Sequence, residues 1–127
     1  MNVRILFKKD AQEALFQGID ELADAVSSTL GPKGHSVIIH KGYGVPHITK
    51  DGVTVARAYD TDDTMKRMGA TLVKTVAAKT CDEAGDGTTT ATILTRALIK
   101  HGMDVLPNVK NPQRFKQGME AAKSEAV

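Results

Sequence analysis

The run Gly85-Asp86-Gly87-Thr88-Thr89-Thr90-Ala91-Thr92 holds the residue types and spacing most suited to chemistry. Its two glycines let the backbone approach a ligand closely, and an apolar-periodic helix begins directly after them. The first amides of a helix have no intrahelical acceptor, so they are free to meet anionic oxygens. Thr88, Thr89 and Thr90 add three hydroxyls that can donate to phosphate. Asp86 can hold Mg²⁺, a hard ion that prefers a carboxylate plus phosphate oxygens. The combination fits a nucleotide di- or triphosphate. The plainer alternative is a helix start in which a threonine caps and Asp86 complements the macrodipole, which needs one hydroxyl and no glycine pair.

Two further turns carry suitable groups. Thr29-Leu30-Gly31-Pro32-Lys33-Gly34 combines a hydroxyl, close-approach glycines and a cation, and reads equally well as a helix stop followed by a turn. Thr49-Lys50-Asp51-Gly52 sets a cation beside an anion at the end of a strand, a common place for ligands, although alone it reads as a charged turn. No stretch fits the Walker A pattern, and Gly42-Tyr43-Gly44 lacks the third glycine of a dinucleotide fingerprint. His35, His40, His47 and His101 have neither the helical spacing nor the cysteine company of a zinc site, and no Gly-x-Ser-x-Gly elbow is present.

The elements that must position these turns are mostly helical. Ala11, Leu15, Ile19, Leu22, Val26 and Leu30 recur at spacings of three and four, predicting a helix capped by Asp10 and stopped by Gly31-Pro32. Val37, Ile38 and Ile39, a Gly42/Gly44 turn and a segment at 47–50 predict a hairpin. Met65, Met68, Leu72, Val76 and Ala77 mark a second helix ending near Cys81, and Ile93, Leu94, Ala97 and Leu98 mark a third that Gly102 terminates. Asn111-Pro112 reads as an N-cap and first helical position, after which Phe115, Met119, Ala122 and Ala126 share a face. Val3, Ile5 and Phe7 alternate with polar residues as a short edge strand would. The final helix carries neither a glycine nor a cationic closing turn at 124–127, which favours a fragment of a longer protein.

Composition narrows the class. At 127 residues the chain has room for one core, and 41% hydrophobic with 25% charged residues is ordinary for a globular protein. A net charge of +2 with interspersed signs, and only 4% aromatics, argue against nucleic-acid binding. No apolar run approaches the length that crosses a bilayer, and the start lacks a signal-peptide core, so no membrane association is expected. Cys81, the single cysteine, reads as a half-buried residue near a helix end.

Leu22-Ala23-Asp24-Ala25-Val26, Thr29 to Gly34, Ile48-Thr49-Lys50-Asp51-Gly52-Val53 and Gly85 to Thr92 together resemble the group I chaperonin family, in order and with similar spacing. The likeness spans roughly residues 11–126 and about the family's first quarter. It implies a mainly α fold with a small β-hairpin, the N-terminal half of an equatorial ATP-binding domain, with residues 1–127 a partial domain and the intermediate and apical domains absent. It implies that Thr29, Leu30, Gly31 and Pro32 line the nucleotide and that Lys50 lies near its phosphates, with K⁺ close to Thr29 and Lys50. Asp86 would hold Mg²⁺, while Gly87, Thr88, Thr89 and Thr90 wrap the phosphates. The complete protein would be an ATPase that refolds unfolded clients in homo-oligomeric, heptameric rings, with a co-chaperonin, in the cytoplasm of a bacterial or phage-infected cell or in an organelle matrix. The catalytic aspartate of the family falls outside this stretch, so these residues alone are expected to be inactive. The alternative is a truncated module that docks on chaperonin rings without turnover. Departures from the family at 1–9 and at Val105-Leu106-Pro107-Asn108-Val109 bear on strand pairing and subunit contacts more than on nucleotide binding.

Overall fold

Residues 5, 6 and 8–127 are described by the structure, a computed structural model. In order they form α1 (Lys8–Ser27), β1 (Val37–Ile39), β2 (His47–Thr49), α2 (Gly52–Ala58), α3 (Thr64–Ala84), α4 (Thr88–Val105), a 3₁₀ turn (Leu106–Asn108) and α5 (Pro112–Ala126). This is the mainly helical fold with one small hairpin that the resemblance implies.

Small residues at helical spacing bring the long helices together. α1 buries Gly18, Ile19, Leu22, Ala23 and Val26, and α3 buries Gly69, Ala70, Val73 and Ala77. A Cβ on Gly18 would overlap the Lys66 carbonyl, and one on Gly69 would overlap the Leu15 carbonyl. The pairs 15 with 69 and 18 with 66 run in opposite directions, so α1 and α3 cross antiparallel with their backbones touching. Val55 and Ala56 of α2 complete the core, and Phe16, Val37, Tyr59 and Ile99 pack against its edge. Full burial of each Leu, Ile or Val contributes about 1.5–3 kcal/mol, so the few branched residues at this crossing hold the fold.

Polar ties fix the other angles. Arg96 of α4 pairs with Asp20 (3.4 Å) and with Asp24, both on α1. Glu21 of α1 accepts from Lys66 Nζ (2.5 Å) and from the Tyr59 hydroxyl (2.8 Å), joining α3 and the end of α2 to one carboxylate. Lys74 Nζ reaches the Tyr59 carbonyl at 2.5 Å.

The hairpin has the expected extent, pairing Val37 with Thr49, Ile38 with Ile48 and Ile39 with His47. Asn111 caps α5 through the Gln113 and Arg114 amides, as its position before Pro112 predicts. Several boundaries differ. Asp10 lies within the first turn of α1 instead of capping it, and α1 ends at Ser27. There the chain tightens into i→i+3 bonds, Thr29 N to Val26 O and Leu30 N to Ser27 O, so Leu30 leaves the apolar face and is half exposed. Gly102 does not stop α4, which continues to Val105; the Phe115 ring lies over the space a side chain there would take. α2 is an addition to the expected elements, because seven residues are too few for a periodic signal. Met68 and Leu72 on α3, and Leu94 and Leu98 on α4, mark these helices in the apolar pattern and are more than half exposed. The strand expected at Val3, Ile5 and Phe7 falls mostly outside the described residues; Ile5 is exposed and in no strand.

Candidate functional site

Three element junctions converge on one cleft of about 550 Å³: the turn after α1, the β2–α2 junction and the α3–α4 junction. Of the residues singled out in the sequence, Thr29, Leu30, Gly31, Lys50, Asp86, Gly87, Thr88, Thr89 and Thr90 line it, and Pro32 does not. Residues from distant turns thus share a surface that no single motif implied.

The α3–α4 junction is built around consecutive bends. Gly85 closes α3 at φ 72°, its amide donating to the Cys81 carbonyl at 2.9 Å. Gly87 is the N-cap of α4 at φ 81°. Both lie in the left-handed region that L side chains adopt at a cost of about 1–2 kcal/mol, so the spacing of these glycines is conformational. Between them Asp86 is exposed, and its Oδ1 accepts from the Gly87 amide at 2.7 Å. That bond aims the carboxylate at the mouth of α4 and leaves Oδ2 free of a partner among the described residues.

The cap of α4 makes no side-chain hydrogen bond. Threonine therefore does not cap this helix, and its first amides keep their anion-binding capacity and the positive end of the macrodipole. Thr88 is nearly buried and Thr89 and Thr90 are progressively more exposed along the cleft wall. Thr92 belongs to the core: it is fully buried and donates to the Thr88 carbonyl at 2.9 Å.

At the second junction Asp51 is a helix cap. Its carboxylate accepts from the Val53 amide (3.3 Å), the Thr54 amide (3.0 Å) and the Thr54 hydroxyl. The Thr54 hydroxyl above all holds the Asp51 carboxyl below its ordinary range; desolvation, the next-largest effect, opposes it, and the two amides and Arg57 add to the lowering. Lys50, one residue earlier, presents an exposed ammonium to the cleft. At the third junction the Thr29 hydroxyl donates to the Val26 carbonyl at 2.7 Å, so it faces any ligand as an acceptor.

Arg57, Val53 and Cys81 also line the cleft and were not singled out as site residues. Val53 and Arg57 are one helical turn apart on α2, and Cys81 sits one turn before Gly85; each signal required the helix boundary to be known. Cys81 is half-buried near the end of α3 and unbonded to another cysteine. Among the described residues no group of three or more His, Cys, Asp or Glu side chains is placed to hold a metal by itself, and no helix is long and apolar enough to cross a membrane. Any ion at Asp86 would take most of its ligands from phosphate and water.

A model of the TCP-1/cpn60 chaperonin family matches residues 22–127. Among solved structures the chain is similar to the chaperonin gp146 from the bacteriophage EL 2 (Pseudomonas aeruginosa), crystallised in the presence of ATP-BeFx. One crystal form aligns with a TM-score of 0.70 and 44% identity over 76% of this chain and 17% of that one. The other gives a TM-score of 0.66 and 45% identity over 72% and 16%. The chain thus spans about a sixth of the length of that protein.

Proposed function

The chain belongs to the TCP-1/cpn60 chaperonin family, and on that premise we propose that it carries the first half of an Mg-ATP site in a chaperonin subunit that assists protein folding. The observation that supports this most is the convergence of three separate turns on one cleft at an uncapped helix N-terminus. In this reading the amides at the start of α4, with the Thr89 and Thr90 hydroxyls, receive phosphate oxygens. Lys50 and Arg57 offset phosphate charge, and Thr29, Leu30 and Gly31 bound the nucleotide from the turn after α1, with Pro32 following in sequence outside the cleft lining.

The donor set fits Mg²⁺, because Asp86 offers one carboxylate oxygen without a partner among the described residues, beside the proposed phosphate cradle. When bound, the ion would neutralise phosphate charge and orient the terminal phosphoryl group. A K⁺ ion near Thr29 and Lys50 would be held by oxygens, the Thr29 hydroxyl and main-chain carbonyls, since the Lys50 ammonium repels a cation. Asp51 contributes by holding α2, and with it Arg57, at the cleft.

Residues 1–127 act as part of an equatorial domain, and ATP hydrolysis, ring assembly into heptamers, unfolded clients and a co-chaperonin belong to the complete protein. A bacterial or phage-infected cytoplasm suits the likeness to a phage chaperonin. Melting with and without Mg-ATP tests the reading. At nucleotide one hundred times above its Kd the protein gains about 2.7 kcal/mol, and Asp86→Ala removes the gain. Identical melting in both conditions for the unsubstituted protein overturns it.

A further inference from the structure

A second cleft, of about 590 Å³, opens between the hairpin and the α2–α3 junction, and Lys41, Arg57 and Lys74 all line it. Among the described residues none of these three cations has a carboxylate partner. Lys74 donates to the Tyr59 carbonyl (2.5 Å) and, at 3.5 Å, to that of Arg57, and its charge acts on the Asp60 carboxylate through space without an ion-pair contact. The side chains of Lys41 and Arg57 are exposed and make neither a hydrogen bond nor an ion pair; Arg57 acts on Asp51 only through space. Asp60, the acid at the rim, is already paired with Arg67 at 3.2 Å. Three like charges around one concavity repel one another, and a carboxylate entering between them relieves that repulsion.

We infer that this cleft is a docking site for an acidic segment of another polypeptide, its carboxylates received by Lys41, Arg57 and Lys74 and its methylene stems by Ile39 and Tyr59. A nucleic acid fits less well. The Lys74 ammonium lies 6.0 Å from the centroid of the Tyr59 ring, over a face on which a base would stack. Arg57 lines both clefts, whereas Lys41 and Lys74 line this one and not the first, so those two lysines separate the site from the reading of the first cleft.

Fluorescence anisotropy with a labelled hexaglutamate peptide tests it on the purified protein. Saturable binding is expected, weakening as salt rises from about 50 to about 500 mM and by about tenfold or more in the charge reversal Lys41→Glu, which leaves the first cleft untouched. The Lys41 side chain is exposed and lies outside every helix, so the variant keeps its helical circular dichroism. Lys50→Ala, confined to the first cleft, changes the affinity by less than about twofold. Absence of saturable binding, equal binding by Lys41→Glu, a comparable loss in Lys50→Ala, or displacement of the peptide by oligo(dT) at equal concentration would each overturn the assignment.

Discussion

Asp51 and Asp86 are both exposed carboxylates on the rim of one cleft, yet their surroundings give them different work. Asp51 is saturated by two amides and a hydroxyl, whereas Asp86 keeps one oxygen available. Replacing Asp51 by alanine removes the α2 cap and costs about 1 kcal/mol in denaturant unfolding. Its lowered folded pKa fixes the pH sense: the contribution is fully present above the ordinary carboxylate range and is lost as pH falls through the folded value. The stability difference between the unsubstituted protein and Asp51→Asn should therefore shrink on acidification, and a difference that grows would contradict it. Each of the three turns was legible as residue types in sequence, because glycine spacing and hydroxyl runs are local. Their meeting was not, since it depends on how α1, α2 and α3 cross, and Arg57 stayed hidden with the short helix that carries it.

The crossing of α1 and α3 rests on glycine, and this is where periodicity misled. An apolar pattern weights large residues and so picks out Met68 and Leu72 alongside Ala77, while the contact is made by Gly69, Ala70, Val73 and Ala77. Gly18→Ala would stabilise a solvent-facing helix by up to about 1 kcal/mol. Here the added methyl meets the Lys66 carbonyl, and the change should instead destabilise by about 1–3 kcal/mol in urea unfolding. The same substitution at Gly118 of α5, with nothing within 4 Å, supplies the control and should raise helicity. The tie among Glu21, Lys66 and Tyr59 has its own signature. The Lys66 hydrogen bond first, then that of Tyr59, holds the Glu21 carboxyl low, and burial followed by the Glu21 bond pushes the Tyr59 phenol up to about 12. Glu21→Gln should cost about 0.5 kcal/mol near neutral pH, a small value because the pair is half exposed. That cost vanishes as pH falls through the lowered Glu21 pKa, and the raised Tyr59 pKa adds stability that is present below the ordinary phenol value and lost as pH climbs through about 12. Thermal melts across the acid and alkaline limbs check both signs.

Taken as a whole, the molecule has a dense centre and a sparse periphery. Four motifs in order were enough to read its family and its mainly helical fold, because turns that need glycine at positive φ tolerate few residue choices; helix ends and the outward faces of α3 and α4 were not readable, because tertiary packing decides them. The large apolar residues Met68, Leu72, Leu94 and Leu98 stay in contact with solvent in a chain that spans about a sixth of the phage chaperonin. α5 is the extreme case, since it buries no residue and leans on the body where Phe115 lies near Gly102. A helix of 15 residues without packing is marginal in water, so its amides should open independently of the rest. In deuterated buffer the amides of residues 116–126 should exchange within about tenfold of an unstructured peptide, while those around Leu22 and Val73 wait for global unfolding. Equal protection of the two sets would mean that α5 is held by more than Phe115. Time, measured as exchange lifetime, would then divide one continuous chain into a lasting scaffold and a segment that continually melts and re-forms beside it.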